Sequence, residues 1–159
     1  CFVKAKYDFY VNNELVIEEF HDIVYRDELK QNKSIKKVNT LPSFDPVYKE
    51  KIYTHPTMLF RYSAITFNGH RIHYDYPYST QEEGYKDLVF HGPLQATLML
   101  RAAEKYKNKK VIQFSHKGLA PVYANEDLYV TIEHNPNGDI ICYTNTDDAG
   151  ITMKAEAFF

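Results

Sequence analysis

Apolar and polar residues change their spacing along this chain, and each change marks an element. FVKAKYDFY and LVIEEFHDIVY are rich in β-branched and aromatic residues, and VNNE between them carries asparagines that tolerate a tight turn, so residues 2–25 are expected to form two antiparallel strands. A lone hairpin is marginally stable, so this one must pack on something else. From Asp27 to about Thr57 the sequence is lysine-rich, contains three prolines and shows no sustained apolar period, the pattern of a linker over a surface. MLFRYSAITF, residues 58–67, has the mixed alternation of a strand. HGPLQATLMLRAAEKYKNKK then has the punctuation of a helix, with Gly92 as N-cap, Pro93 at the first helical position and lysines crowding the C-terminal end. Between Leu94 and Ala103 only Gln95, Thr97 and Arg101 are polar, which predicts a helix buried on every side. KVIQFSHKGLAPVYANED, LYVTIEH, IICYTNT and ITMKAEAFF follow as β segments, with NPNGD as a turn. One apolar helix, a strand before it and three or four antiparallel strands after it amount to a sheet curled around a helix, an α+β class.

The 159 residues suffice for one domain with a real core. Nineteen basic against twenty-one acidic side chains, a formal charge of −2, provide no basic stripe for a phosphate backbone, so nucleic acid is not an expected partner. The longest apolar run, PLQATLML, is cut by Arg101 and is far shorter than the roughly 20 residues that span a bilayer; a soluble chain with no membrane partner is expected. Cys1 and Cys142 are too far apart in sequence to suggest a disulfide framework or a zinc site, which fits a reducing compartment. The chain opens at Cys1 on strand-like sequence, with neither an initiator Met nor a signal peptide, and is expected to be the C-terminal part of something longer. The hairpin at 2–25 and the one at 128 to about 145 both run strand, asparagine-containing turn, strand, an echo consistent with a duplicated domain whose first copy is truncated.

The candidate chemistry lies in AITFNGHRIHYD, residues 64–75. A loop held by a rigid element is where reactive groups tend to sit, and a histidine titrates near neutrality. His70 and His73 with Asp75 lack the second cluster that a metal site would need, so no metal is assigned. There is no G-x-S-x-G, and neither cysteine has an activating neighbour. General acid–base work by a histidine survives this elimination.

LFRYSAITFNGHRIHYDYPYSTQEEGYKDLVFHGPLQATLML, residues 59–100, resembles the hydratase motif and central helix of the MaoC-like, hot-dog-fold (R)-specific enoyl-thioester hydratases and 3-hydroxyacyl-thioester dehydratases. It is most similar to the two-repeat branch that includes mitochondrial type 2 dehydratases and mesaconyl-C4-CoA hydratase, and LVIEEFHDIVYRDE resembles the end of the first repeat there. The resemblance implies a double hot dog: 1–28 as the end of an N-terminal repeat, 29–57 as a linker and 58–159 as the catalytic domain. It implies His73 as the family histidine and puts Asn68 where the broader family has a catalytic aspartate; an amide can orient water but cannot exchange its proton near neutral pH. It further implies Gly92, at the central helix N-terminus, as the oxyanion donor, with Arg71, Tyr85 and Phe90 as possible substrate contacts and Asp75 left solvated. The implied activity is that of a hydro-lyase on a 3-hydroxyacyl or 2-enoyl thioester of CoA or acyl carrier protein, with no cofactor needed; the alternatives are a mesaconyl-C4-CoA-type hydratase of a dicarboxylic thioester and a non-catalytic acyl-thioester-binding hot-dog domain. The implied partner is a second hot dog, and the expected compartment is the cytoplasm, with the mitochondrial matrix as the alternative.

Overall fold

A computed structural model describes residues 1–25, 46–135 and 139–159. Its backbone falls into two units, Cys1–Lys36 and Lys37–Phe159.

The first unit is the expected hairpin. β1 (Phe2–Val11) and β2 (Glu14–Val24) pair antiparallel from Phe2↔Val24 to Val11↔Glu14, with a bulge at Phe9/Tyr10. Asn12 and Asn13 have φ of 50° and 65°, the two positive values that a two-residue turn of primed type requires and that asparagine accepts most readily after glycine. Both faces leave large apolar groups in the open, among them Phe9, Tyr10, Ile17 and Phe20.

The second unit is a hot dog. Strands β3 (Tyr48–Tyr53), β4 (Gln113–Gly118), β5 (Asp127–His134), β6 (Ile140–Thr146) and β7 (Gly150–Phe158) form one antiparallel sheet in the order β3-β5-β6-β7-β4. Helix α2 (Gly92–Lys107) lies across it. Ala96, Met99, Ala102 and Ala103 pack against Val130, Ile132, Ile140, Cys142 and Met153, and the alanines let the helix approach the strands closely enough to exclude water. Both cysteines are free thiols, Cys142 within this core and Cys1 exposed. The centre of the expected NPNGD turn, residues 136–138, lies outside the described residues, although Asn135 N–H donates to the Asp139 carbonyl across it.

The structure corrects four of the sequence expectations. Residues 58–67 are not a strand: α1 spans Pro56–Ile65. Phe60, Ile65 and Phe67 supply the aromatic and β-branched content that suggests a strand, yet they are exposed, whereas Leu59 and Ser63, four apart, are the buried pair on one helical face. Pro56 sits in the first turn, and Thr57 N–H donates to His55 Nδ1 at 3.1 Å, two start signals of a helix. The strand that precedes the central helix is instead β3, inside the span 29–57 assigned to a linker; its alternating burial lets Tyr48 and Ile52 reach the core while Lys49 and Lys51 stay outside. Residues 26–45 of that span lie outside the described residues. α2 is not buried all round, because Pro93, Thr97, Arg101 and Lys105 form an exposed stripe at four-residue spacing. Its N-cap is His91 rather than Gly92, so Gly92 and Pro93 are the first two helical residues. The lysines expected at the C-terminal end are there, Lys105 and Lys107 in the last turn, and Asn108 closes the helix in the left-handed conformation at φ 50°.

Candidate active site

The end of α1 places Asn68. Phe67 N–H donates to Ala64 O at 3.3 Å and Asn68 N–H to Ser63 O at 2.9 Å, the paired bonds that close a helix through one left-handed residue. That residue is Phe67, φ 53°, where glycine is usual; a bulky side chain there costs on the order of 1 kcal/mol. Asn68 Oδ1 then accepts from His70 N–H at 3.0 Å, and its amide hydrogens have no acceptor among the described residues. Asn68 itself is half-buried.

The following 3₁₀ turn, Arg71–His73, turns Ile72 and His73 inward. His73 is 8 % exposed, and its Nδ1 lies 2.6 Å from the Val89 carbonyl oxygen. A carbonyl only accepts, so Nδ1 carries the proton and, in the neutral ring, the Nε2 lone pair is free. Val89 is fixed in turn by Val89 N–H to Ile72 O at 2.9 Å and by Phe90 N–H to Val122 O at 2.7 Å. The short extended stretch 88–90 therefore ties the histidine turn, the 122–124 loop and the start of α2 into one frame.

Against His73 lies His91, fully buried, with ring centroids 3.7 Å apart and planes within 17°. Ser63 Oγ is 2.9 Å from His91 Nε2, and Tyr62 meets the same ring edge-on at 4.7 Å. Nδ1 of His91 is buried and has no hydrogen-bond partner among the described residues. The His70 ring stands edge-on to His73 at 5.6 Å. Burial is the main force holding the His73 pKa below the usual 6.5, and the nearby His70 charge acts in the same direction against the opposing Val89 bond. Burial, with His73 as a second contributor, takes His91 to about 4. Both rings are thus free bases at neutral pH.

That arrangement has a consequence for stability. The unfolded chain takes up protons on these rings near pH 6.5 while the fold resists until about 4 for His91, so their contribution is complete above 6.5 and is lost as pH falls toward 4. His91→Phe retains a ring against His73 and removes one of the titrating groups. Thermal midpoints measured between pH 7.5 and about 4 should therefore fall less steeply in His91→Phe than in the wild type, and parallel curves would refute the assignment.

Other sequence-assigned residues divide. Gly92 follows His91 directly and lines a groove of about 310 Å³ with Phe90, Gln95, Leu119 and Met153. Phe90, 2 % exposed, is also part of a core cluster with Leu59, Leu88 and Val122. Tyr85 lines neither groove and packs toward Tyr123, centroids 6.4 Å apart. Arg71 Nε and Nη2 donate to Asp75 Oδ2 at 2.9 and 2.7 Å, with the guanidinium over the Tyr78 ring at 4.2 Å. Asp75 stays at the surface, as expected, but is paired there with Arg71 and accepts from Tyr78 N–H, and the Arg71 guanidinium holds its carboxyl below the usual carboxylate range. A second, mostly apolar groove of about 570 Å³ is lined by Met58, Tyr62, Ile65 and Leu94, with Arg61 on its wall. Sequence reasoning missed Ser63 and His91. Ser63 was legible only once 56–65 is a helix, and His91 only as a polar residue directly before Gly-Pro.

The family model for hydroxyacyl-thioester dehydratase type 2 matches residues 1–124. The chain belongs to that family. Among curated relatives of this type 2 dehydratase family member, mesaconyl-C(4)-CoA hydratase of Chloroflexus aurantiacus is 39% identical over 141 residues, 89% of this chain and 49% of the relative. The mitochondrial hydroxyacyl-thioester dehydratase type 2 of Schizosaccharomyces pombe is 34% identical over 130 residues, 79% of this chain and 42% of the relative. The chain thus spans about half the length of the curated relatives it matches. The crystal structure of a MaoC-like dehydratase from Phytophthora capsici shares the fold, with a TM-score of 0.73 at 12% identity over 99% of this chain and 58% of that one. No helix among the described residues is long and apolar enough to cross a membrane.

Proposed function

We propose that the chain carries the proton-transfer site of a hydro-lyase that reversibly dehydrates a 3-hydroxyacyl thioester, or hydrates the 2-enoyl thioester, of CoA or acyl carrier protein. The observation that carries the reading is His73: its Nδ1 proton is committed to the Val89 carbonyl and its pKa is lowered, so a free-base Nε2 is available at neutral pH. In dehydration Nε2 removes the C2 proton and the electron pair moves toward the thioester carbonyl, whose growing charge meets the Gly92 N–H at the helix N-terminus. The electrons then form the C2–C3 double bond as hydroxyl leaves C3, and the protonated Nε2 returns its proton to that hydroxyl so that water departs. Asn68, whose amide hydrogens have no acceptor among the described residues, holds the water. His73 ends as it began, and hydration is the reverse. Thioester hydrolysis fits less well, because Glu104, the first acid of α2, is held by Lys110 at 2.9 Å and by Val111 N–H.

Pairing with a second hot dog, as an N-terminal repeat or another subunit, belongs to the same reading and is supported by the apolar side chains that the hairpin exposes. For the compartment, the name of the fission-yeast relative favours the mitochondrion over the cytoplasm.

A dicarboxylic thioester of the mesaconyl kind is the second reading. Arg71 does not favour it, being neutralised by Asp75 at the surface. Arg61 does, since it stands on the wall of an apolar groove with no ion-pair partner among the described residues. Water addition to crotonyl-CoA, mesaconyl-CoA and a longer enoyl-CoA, followed by loss of the enoyl absorbance, tests both. Turnover of at least one is expected, and inactivity on all three would defeat the hydro-lyase reading. Preference for mesaconyl-CoA that disappears in Arg61→Met would establish the second reading.

A further inference from the structure

Gln95 lies in the first turns of α2 and is 3 % exposed. Its Oε1 accepts from Thr144 Oγ1 of β6 at 2.9 Å and from Thr152 Oγ1 of β7 at 3.1 Å, and the two hydroxyl oxygens are 2.9 Å apart. Counting hydrogens decides which end of the amide faces the sheet. Each hydroxyl has one hydrogen, and the amide oxygen has two lone pairs to take both. Turned round, the amide nitrogen would donate to both hydroxyl oxygens. One hydroxyl hydrogen could then go to the other hydroxyl, and the second would be left unpaired between residues that are 0 % exposed. Oε1 therefore points at the sheet and the NH₂ group points away from it.

Gln95 lines the groove of about 310 Å³ together with Gly92, Gly118 at the end of β4 and Met153 of β7, and with Oε1 held by the two threonines its NH₂ group is the polar part left for that groove. The amide nitrogen has no acceptor among the described residues, and unlike His91 Nδ1 it is not sealed in the interior. Gly92 lines the same groove, and the place of its N–H at the helix start leaves it without an intrahelical acceptor. An almost wholly buried amide, clamped at one end by two strands and left with unused hydrogens at the other, is a preorganised donor facing a cavity. Such a donor pairs with water in the open groove until a ligand that offers an acceptor displaces it.

We propose that Gln95 binds substrate directly, its side-chain nitrogen donating to a carbonyl oxygen of the acyl thioester beside the Gly92 N–H. The inference rests on the hydro-lyase reading above and adds a donor to it. Because Thr144 and Thr152 hold Oε1, the donor needs no reorganisation when charge develops on the carbonyl, the condition under which such a contact accelerates reaction most. The carbonyl is that of the thioester itself or an amide of the pantetheine arm, and these have different kinetic signatures.

The test uses the full-length protein with crotonyl-CoA and with S-ethyl thiocrotonate, which lacks the pantetheine arm. Gln95→Glu keeps an oxygen for both threonine hydroxyls and replaces the donor in the groove by an acceptor; a thermal melt checks that it folds. A fall in kcat of about 10²–10³, the loss typical of one oxyanion donor, seen with both substrates, identifies the thioester carbonyl. A rise in KM confined to crotonyl-CoA identifies the amide of the arm. Wild-type kcat and KM on both substrates would overturn the proposal. Should Gln95→Glu melt, Thr152→Val keeps the volume, removes one hydroxyl and frees the amide to turn; a reduced kcat is then expected, and unchanged kinetics would overturn the proposal equally. Activity of the wild type separates the two levels, since an inactive wild type sinks the hydro-lyase reading as well, whereas an active one with an indifferent Gln95→Glu sinks only the role of Gln95.

Discussion

Replacing His73 by glutamine is expected to lower kcat on the best enoyl thioester by about 10²–10⁴, the range that a single general acid–base group supplies. The loss should be near the upper end, because one nitrogen both takes the C2 proton and returns it to the departing hydroxyl, and Asn68 has no proton to exchange in its place. Glutamine can still donate to the Val89 carbonyl, so the 3₁₀ turn is retained and a normal thermal melt should accompany the loss. The pH profile of the wild type provides the internal check. Since burial holds the His73 pKa down, the acid limb of kcat/KM should have its midpoint below 6.5, with a plateau through neutrality. A glutamine variant keeping more than about a tenth of wild-type kcat would contradict the assignment.

Asn68→Ala should cost about ten- to a hundredfold in kcat, the value of one or two hydrogen bonds to the water in the transition state. Alanine also removes the Oδ1 acceptor of His70 N–H, so part of the loss would come from a looser turn before His73. Asn68→Asp separates these effects. An aspartate keeps the bond to His70, can act as an acid or base, and carries charge toward the two histidines of the turn, so activity should be retained and the acid limb should move to higher pH. If the alanine variant were as fast as wild type, Asn68 would have no part in holding water, whatever the aspartate variant did.

Much of the architecture was legible where an element's own pattern was sufficient. The primed turn at Asn12–Asn13, the strands β5, β6 and β7 and the body of α2 follow from local rules of alternation, turn chemistry and capping, each satisfied by neighbours within a few residues. Residues 58–67 look like a strand in sequence because the apolar groups that suggest one, Phe60 and Ile65, are exposed in this unit, whereas the pair that defines the buried face of the helix includes a serine. β3 was hidden by its lysines: only three alternate residues turn inward, and a six-residue strand carrying charge on its outer face looks like a surface linker until β5 pairs with it.

For the site, the residue types and spacing of AITFNGHRIHYD, with its family resemblance, singled out Asn68, His73 and Gly92, and the helix start at Gly92–Pro93 pointed to free N–H groups. The sequence by itself thus determined which candidate side chains lie close together and the order of most elements, since both depend on near neighbours. Which proton sits where was decided only by tertiary structure. The Val89 carbonyl that fixes the His73 tautomer is 16 residues away, the ring stacked on it belongs to His91, and Ser63 reaches that ring across 28 residues. Gln95 is turned by threonines 49 and 57 residues along the chain. Tautomer, ring burial and amide orientation depend on groups that only the closed sheet and helix bring within hydrogen-bonding distance, and no local pattern records them.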